Sequence, residues 1–374
     1  MRLLLVGVGA AGNKAVTDAI NSGITPVEDT ILINSTSKDF PSDYKGAKII
    51  LSDNDTGCGK ERSVAKEYTK HAIAEGKFNI EGIDEYATII VITSVEGGTG
   101  SGAVPTIALM FDKVYKKNVH IIAFTGFEED VRGLANTVEF FKEIAPSIIV
   151  QSISNAAYVT AARGNKIKAE KLANKDMIKR ISIISGEEFI PGEQNIDDTD
   201  LMKLVSTAGY MTVEKKVLDK SLETKEDFDQ VIKNMIYNSA SIDIENPSAA
   251  RIGVILNLSP ASEDGIDYKY DSLKTKYTDN DKSVFEVFTQ KQWDEDQEYI
   301  AFIISGMKMP LDEVKAVYDK YLEATAKVNK EKDEFYSATN DLKTLEEDNM
   351  FNMIKDKDES SVSFSEFLSI IQED

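Results

Sequence analysis

The chain has 374 residues, 42% of them hydrophobic, so it is long enough to bury the cores of two ordinary domains. Its 64 acidic and 43 basic residues give a formal charge of −21, which argues against nonspecific binding to nucleic acid or to an anionic membrane. The single cysteine, Cys58, excludes an internal disulfide and favours a reducing, cytoplasmic setting.

Short apolar runs alternate with helical patterns through the first half of the chain. The runs predict buried strands at residues 3–6, 30–33, 48–51, 88–93, 120–124 and 147–150. Such alternation is typical of a parallel sheet with helices on both faces. We therefore expect a Rossmann-like α/β domain that ends in a long central helix at residues 166–184.

The second half of the chain predicts a smaller α+β domain followed by one long helix. Strands are expected at residues 251–258, 283–289 and 299–305. Residues 311–345 contain no Gly or Pro and carry apolar residues at three-four spacing, the pattern of a docked helix. We expect a nucleotide-binding domain at 1–185, a second domain at 186–309, this helix at 310–345, and a flexible acidic tail at 346–374.

A first glycine loop, residues 7–13, follows the first strand and opens a helix. Gly9 and Gly12 leave room for phosphate oxygens to approach the backbone N–H groups of the helix start. Alone, this loop fits a dinucleotide site, but such a site favours an acidic residue after the second strand, where Asn34, Ser35 and Thr36 stand. An NAD(P)-dependent oxidoreductase is therefore an alternative of a different class.

A second glycine loop, residues 96–102, follows the strand at 88–93 and precedes a helix. It reads Glu-Gly-Gly-Thr-Gly-Ser-Gly, and Thr99 and Ser101 add hydroxyl donors to the backbone amides. Two such loops would face one phosphate-bearing ligand, although a flexible glycine turn is the simpler alternative. No Gly-x-x-x-x-Gly-Lys-Ser/Thr motif of the P-loop type is present.

The second glycine loop resembles the signature loop of the tubulin/FtsZ superfamily, with Glu96 where that family usually has a small residue. Asn34 and the segment 56–62 resemble its next two nucleotide loops. Residues 127–132 resemble its ribose and phosphate loop, and residues 149–155 the segment that contacts guanine. The resemblance implies a site for GTP or GDP with Mg²⁺, and no protein ligand is assigned to the metal. The residues expected to form this site are Gly9, Ala10, Ala11, Gly12, Asn13, Asn34, Gly59, Lys60, Gly97, Gly98, Thr99, Gly100, Ser101, Glu128, Arg132, Asn155 and Asn174.

Two alternatives stay open within this set. In the first alternative, Asp176 rather than Asn174 is the residue of the central helix that contacts the base. In the second, the segment at 127–132, with Glu128 and Arg132, is only the charged start of a helix and not a ribose and phosphate loop.

A third motif, Asn195-Ile-Asp197-Asp198-Thr-Asp200, matches the catalytic-loop pattern of FtsZ. Asp197 and Asp200 stand three residues apart at a helix start, so both can face one direction and polarise a water for attack on a γ-phosphate. Either could instead cap the helix. The resemblance implies that this loop, with Asn195, enters the nucleotide site of the next subunit, so that hydrolysis requires polymerisation.

The resemblance is closest in character to the bacterial plasmid and phage tubulins of the TubZ and PhuZ type. It implies a cytoplasmic GTPase that forms head-to-tail filaments with copies of itself and segregates plasmids or positions phage DNA, through a DNA-bound adaptor or cargo. A cell-division ring of the FtsZ type is the second reading. A polymer that binds GTP but barely hydrolyses it is a third.

Overall fold

The structure is a computed structural model that describes residues 2–127, 130–186, 198–218, 222, 225–258, 270–278, 282–290 and 298–354. Within these residues the strands are β1 (Leu3–Val8), β2 (Thr30–Asn34), β3 (Ala47–Ile50), β4 (Thr88–Ser94), β5 (Asn118–Thr125), β6 (Ile149–Ser154), β7 (Gly209–Val217), β8 (Arg251–Asn257), β9 (Val284–Gln290) and β10 (Tyr299–Met307). The α-helices are α1 (Gly9–Ser22), α2 (Arg62–Ala74), α3 (Gly98–Lys113), α4 (Val131–Glu143), α5 (Lys166–Ser185), α6 (Asp198–Val205), α7 (Lys225–Tyr237), α8 (Asp271–Tyr277) and α9 (Leu311–Ile354).

All ten described strands form one sheet in the order β3-β2-β1-β4-β5-β6-β7-β10-β8-β9. The strands from β3 to β7 are parallel, and β10 is antiparallel to both β7 and β8. The α/β fold class is confirmed. The six strands expected in the first half are present, with ends shifted by a few residues. Their runs of Val, Ile and Leu are buried on both faces in all but β3, the edge strand, in which Ala47 and Lys48 are exposed.

Helices cover both faces of the sheet and bury two apolar layers. On one face, Val91 of β4 belongs to the same cluster as Phe111 and Phe140 of α3 and α4. On the other face, Ile92 belongs to the cluster of Val16 and Met177, from α1 and α5. Alternate residues of β4 therefore serve opposite layers, which fixes the strand register.

The sheet continues through the boundary that we expected near residue 185. Strand β7 lies beyond this point and was not predicted as a strand; it pairs with β6 on one side and with β10 on the other. The proposed division into domains at 1–185 and 186–309 stays a prediction. The loop at residues 187–197 lies outside the described residues.

Helix α9 is longer than predicted, since it reaches Ile354 rather than residue 345. Its first turns pack on the apolar core through Val314, which is 8% exposed. Internal contacts divide the chain into two units, Met1–Tyr318 and Asp319–Asp374. The second unit, as far as it is described, is the remainder of this helix. No described helix is apolar and long enough to cross a membrane.

Candidate functional site

The two glycine loops lie side by side because they follow adjacent parallel strands. β1 pairs with β4, so the starts of α1 and α3 emerge at the same edge of the sheet. Thr93 ties the two loops together, since its hydroxyl donates to the carbonyl of Val8 at 3.1 Å. The N–H groups of two helix starts therefore point to one region, an arrangement that attracts an anion.

Glycine is required where these loops touch. A Cβ on Gly12 would lie 2.1 Å from the carbonyl oxygen of Ile92, and a Cβ on Gly100 would lie 2.1 Å from the hydroxyl of Thr93. Gly9 adopts a positive φ of 75°. By contrast, a Cβ on Gly97 would meet no protein atom within 4 Å. Gly12 and Gly100 are thus needed for packing, whereas the space beside Gly97 is open to a ligand.

Asn13 supplies an independent sign of a ligand at the first loop. Its side chain is fully buried, and neither its amide nitrogen nor its amide oxygen has a hydrogen-bond partner among the described residues. A buried amide without partners is costly in a folded protein. The residue therefore fits a bound group that both donates and accepts hydrogen bonds.

The loop after β2 contacts the second glycine loop. The hydroxyl of Ser35 lies 3.0 Å from that of Thr99. Asn34 is used within its own loop, since its side-chain oxygen accepts from the Ser35 N–H at 2.8 Å and its amide donates to Asp39 at 3.3 Å. Asn34 thus shapes the loop that lies beside Thr99. Ser35, which the resemblance placed in this loop without a role as a contact residue, is the residue that touches Thr99.

The segment at residues 56–62 packs on the second glycine loop from the other side. Gly59 and Lys60 both have positive φ, and a Cβ on Gly98 would lie 2.7 Å from the Lys60 backbone. The Lys60 ammonium pairs with Asp130 and lowers the pKa of that carboxyl. Arg62 donates to the Ser101 carbonyl at 2.9 Å.

Two more residues fix the second glycine loop. The amide of Asn136 donates to the carbonyl of Glu96 at 2.9 Å and to that of Lys60 at 3.3 Å. The Glu96 side chain packs over Gly126 and Gly133, where added Cβ atoms would collide with it. Its carboxylate therefore lies over the loop after β5, which explains how an acid is accommodated in this glycine loop.

Of the residues expected to read the base, Asn155 lies directly after β6 and Asn174 lies on α5. Asn155 donates to the Thr125 carbonyl at 3.0 Å, and Asn174 donates to Asp18 of α1 at 2.7 Å. Asp18 lies five residues after Asn13 on the same helix, so Asn174 is linked to the helix that the first glycine loop opens. Sequence reasoning missed Asp18 because nothing local marks it.

The alternative residue, Asp176, is part of a buried ion-pair network instead. It accepts from the Arg180 guanidinium at 2.9 Å, and Arg180 also pairs with Glu214 of β7 at 3.3 Å. Arg180 is 1% exposed and donates to the Ser152 carbonyl and the Ser241 hydroxyl, both at 3.0 Å. This network favours Asn174 over Asp176 as the base-reading residue of α5.

Of the remaining predicted residues, Arg132 pairs with Glu61. Glu128, Asn195 and Asp197 lie outside the described residues. Ala10, Ala11 and Ser101 lie in the first turns of α1 and α3, as expected.

Asp200 is described, and it is not near the glycine loops. It lies on α6, where its carboxylate pairs with Lys203 at 2.9 Å. That helix packs against β8 and β10, since a Cβ on Gly253 of β8 would touch Leu204. The last residue of α6, Val205, has a backbone hydrogen bond with His120 near the amino end of β5, whereas the glycine loops follow the carboxyl ends of β1 and β4. A single chain therefore does not bring Asp200 to its own glycine loops.

Two other polar features lie apart from the glycine loops. Asp53, His71 and Glu75 bring potential metal-ligand atoms within 4.8 Å of one another, but the Lys77 ammonium already lies 2.5 Å from Asp53 and 3.1 Å from Glu75. A cavity of about 870 Å³ opens between β7, α7 and α8. Its charged lining includes the pairs Asp229–Lys233 and Asp243–Lys276.

Comparison with known proteins agrees with this architecture. Residues 2–157 match the GTPase domain of the Tubulin/FtsZ family. Cell division protein FtsZ 1 of Pyrococcus abyssi is 26% identical over 265 residues, which cover 70% of this chain and 68% of the relative.

Solved structures with the same fold include TubZ of Clostridium botulinum phage c-st with its C-terminal tail truncated, at a TM-score of 0.64 and 16% identity over 87% of this chain and 98% of that one. CetZ2 of Haloferax volcanii, solved as a GTPγS-bound protofilament, has a TM-score of 0.68 and 16% identity over 88% and 100% of the two chains. CetZ of Methanosaeta thermophila has a TM-score of 0.63 and 22% identity over 93% and 99%.

Proposed function

Since residues 2–157 carry a Tubulin/FtsZ family GTPase domain, we propose that this chain is a GTPase that assembles head to tail into filaments and hydrolyses GTP where two subunits meet. The observation that carries the proposal is the pair of glycine loops beside the unpartnered amide of Asn13. Two helix starts supply donors for a polyphosphate, and the Asn13 amide supplies one donor and one acceptor.

The nucleotide contacts that we propose follow from these loops. Backbone N–H groups of residues 9–13 and 97–101 hold the phosphates, with added donors from Thr99 and Ser101. Gly59 and Lys60 contact the terminal phosphate, and Asn34 keeps its loop against Thr99. Glu128 and Arg132 serve the ribose and phosphates, while Asn155 and Asn174 contact the guanine. Magnesium, when bound, neutralises part of the phosphate charge, and no protein ligand is assigned to it.

The separation between Asp200 and the glycine loops supports hydrolysis between subunits. In this proposal Asn195, Asp197 and Asp200 of one subunit face the terminal phosphate held by its neighbour. The carboxylates polarise a water, whose oxygen bonds to the γ-phosphorus as the bond to the β–γ bridging oxygen breaks. The products are GDP and phosphate, and a subunit without a neighbour turns over slowly.

The direct test is light scattering at 90° together with phosphate release, with GTP, ATP or NAD added to purified protein at several concentrations. We expect only GTP to trigger scattering, and the release rate per subunit to rise above a critical protein concentration. Binding of NAD with no response to GTP would instead assign the first glycine loop to an oxidoreductase.

For the biological role we propose plasmid segregation or positioning of phage DNA in the cytoplasm, through a DNA-bound adaptor, which the fold shared with phage TubZ supports. A cell-division ring is the second candidate, which the 26% identity to FtsZ 1 favours. Fluorescent full-length protein in its host distinguishes them: filaments that move with labelled DNA support the first, and a ring at the division plane supports the second.

A further inference from the structure

A hydrogen bond between two helices fixes the direction of one side-chain amide. Asn174 of α5 donates through its amide nitrogen to the Asp18 carboxylate of α1 at 2.7 Å. An amide has two orientations of nearly the same shape, with its oxygen and nitrogen exchanged. An ionised carboxylate accepts hydrogen bonds and donates none, so the amide must turn its nitrogen towards Asp18. The chemistry of Asp18 therefore selects one of the two orientations.

The Asn174 amide also has hydrogen-bonding capacity that the protein leaves unused. Asn174 is 7% exposed, and no donor among the described residues binds its side-chain oxygen. The amide nitrogen carries a second N–H, which meets no acceptor among these residues. Polar groups that are nearly buried are costly unless a partner completes them. One edge of Asn174, with an acceptor beside a donor, thus fits a ligand of the opposite pattern.

We propose that Asp18 is a positioning residue that makes the nucleotide site select guanine over adenine. This inference rests on the proposed function, in which Asn174 contacts the base. Guanine presents the acceptor O6 beside the donor N1–H, whereas adenine presents the donor N6–H beside the acceptor N1. With one N–H of Asn174 held by Asp18, its other N–H meets O6 of guanine and its oxygen meets N1–H. Adenine in the same pose sets donor against donor and acceptor against acceptor.

The position of Asp18 suits this role. It lies on α1, the helix that the first glycine loop opens, so the element proposed to hold phosphates also orients the base contact. A separate ion pair joins the same two helices, since Lys14 of α1 lies 3.3 Å from Glu170 of α5. Both of these side chains are more than 40% exposed, and neither touches Asn174. This pair therefore provides a control for the contact between the helices without the effect on the amide.

The test reverses the polarity of the Asp18–Asn174 pair. Asp18→Asn keeps the shape of the side chain but introduces an amide that also donates, so Asn174 is free to turn and present the pattern that suits adenine. The double variant Asp18→Asn with Asn174→Asp restores a single arrangement. The carboxylate at position 174 then accepts from the amide at position 18 and offers only acceptors to the base. These acceptors match the N1–H and the 2-amino group of guanine but oppose N1 of adenine.

Isothermal titration calorimetry of the full chain with GDP and with ADP measures the two dissociation constants and their ratio. Diphosphates are used so that hydrolysis does not disturb the binding measurement. Glu170→Gln is the matched control, because it removes a carboxylate between the same helices. Urea unfolding without nucleotide checks that all variants remain folded.

We expect the wild type to prefer GDP, Asp18→Asn to lose this preference by roughly 10- to 100-fold, and the double variant to regain most of it. Recovery in the double variant supports the proposal even where Asp18→Asn alone binds both nucleotides too weakly to measure. Glu170→Gln should keep the wild-type ratio.

Two results overturn this inference and leave the proposed function in place. One is an unchanged ratio in an Asp18→Asn chain that still binds GDP. The other is a folded double variant that does not regain the preference for GDP, because a purely structural role of Asp18 gives this outcome. A wild type that binds no GDP overturns the proposed function and this inference together.

Discussion

At the scale of single residues, Asn13 allows nucleotide binding to be separated from folding. Its buried amide has no partner among the described residues, so Asn13→Ala removes an unsatisfied group and leaves only a small cavity. We expect the unfolding free energy without nucleotide to change by about 1 kcal/mol or less. Affinity for GTP and GDP should fall roughly tenfold or more, measured by isothermal titration calorimetry.

Asn136→Ala is the matched control for this prediction. Its amide donates to two carbonyls, those of Glu96 and Lys60, so its loss should lower the unfolding free energy by about 1–3 kcal/mol in the absence of nucleotide. If Asn13→Ala destabilises the empty protein as much as this control, then Asn13 serves packing and the ligand interpretation is wrong.

The buried network around Arg180 predicts a pH dependence of stability. Burial raises the pKa of Glu214 to about 7, above its ordinary 4.5, although Arg180 opposes the shift. Because the folded state binds this proton more tightly than the unfolded state, the stabilisation is complete below pH 4.5. It is lost as the pH rises through 7, by roughly 3 kcal/mol at most.

Glu214→Gln keeps a neutral side chain at every pH, so this variant should show a flatter loss of stability between pH 5 and pH 8 in urea titrations. The exposed Glu81→Gln removes one charge elsewhere and should leave the wild-type slope unchanged. Parallel slopes for wild type and Glu214→Gln would mean that Glu214 stays ionised beside Arg180 throughout this range.

Individual contacts were only partly visible in the sequence. The glycine spacing correctly predicted two loops that each follow a strand and open a helix, because glycine reports a local backbone requirement. It could not show that Arg180 pairs with Glu214, or that Asp18 meets Asn174, because those partners are brought together by packing of α5 against β7 and α1. Side-chain pairing across elements depends on the fold. The roles predicted for Glu128, Asn195 and Asp197 stay predictions, because these residues lie outside the described part of the chain.

At the scale of elements, alanine should destabilise the protein at one glycine of the loops and leave its stability almost unchanged at another. Gly12→Ala pushes α1 away from β4, since its Cβ would lie 2.1 Å from the Ile92 oxygen, and we expect a loss of about 1–3 kcal/mol of stability. Gly97→Ala meets no protein atom within 4 Å, and φ is −75° there, so stability should change by only a few tenths of a kcal/mol.

Gly97→Ala should change nucleotide affinity and not stability. The open space beside Gly97 is where we place phosphate, so Gly97→Ala should weaken GTP binding while the melting temperature stays constant. Thermal unfolding with and without GDP measures both quantities at once. A Gly97→Ala chain that GDP stabilises as strongly as it stabilises the wild type would move the phosphates away from this loop.

The strands of the first half were predictable because their apolar runs are local signals. Strand β7 was not, since Glu214, Lys215 and Lys216 dilute its pattern and its stability comes from pairing with β10, which begins more than 80 residues later. The long helix was predicted as docked, and Val314 and Tyr318 of its first turns do pack on the core. Three-four spacing alone does not say what covers the rest of such a stripe.

At the scale of the whole molecule, the distance between Asp200 and the glycine loops predicts complementation between two inactive chains. Asp200→Ala retains the proposed nucleotide site but lacks the carboxylate that we propose polarises the water. Asn13→Ala retains that carboxylate and should bind nucleotide weakly. Asp200→Ala alone should lose roughly 10²- to 10⁴-fold in phosphate release above the critical concentration, because the general base is absent. Asn13→Ala alone should release little phosphate when GTP is kept below the weakened dissociation constant of its own site.

Mixed filaments should recover part of the activity. An active contact needs the nucleotide site of an Asp200→Ala chain and the carboxylate of an Asn13→Ala chain, and random head-to-tail copolymerisation of equal amounts makes about a quarter of the contacts of this kind. Phosphate release should therefore rise to about a quarter of the wild-type rate, while co-sedimentation confirms that both chains enter the polymer. Copolymers without recovered release would mean that each chain completes its own site, and hydrolysis between subunits would then be the wrong mechanism.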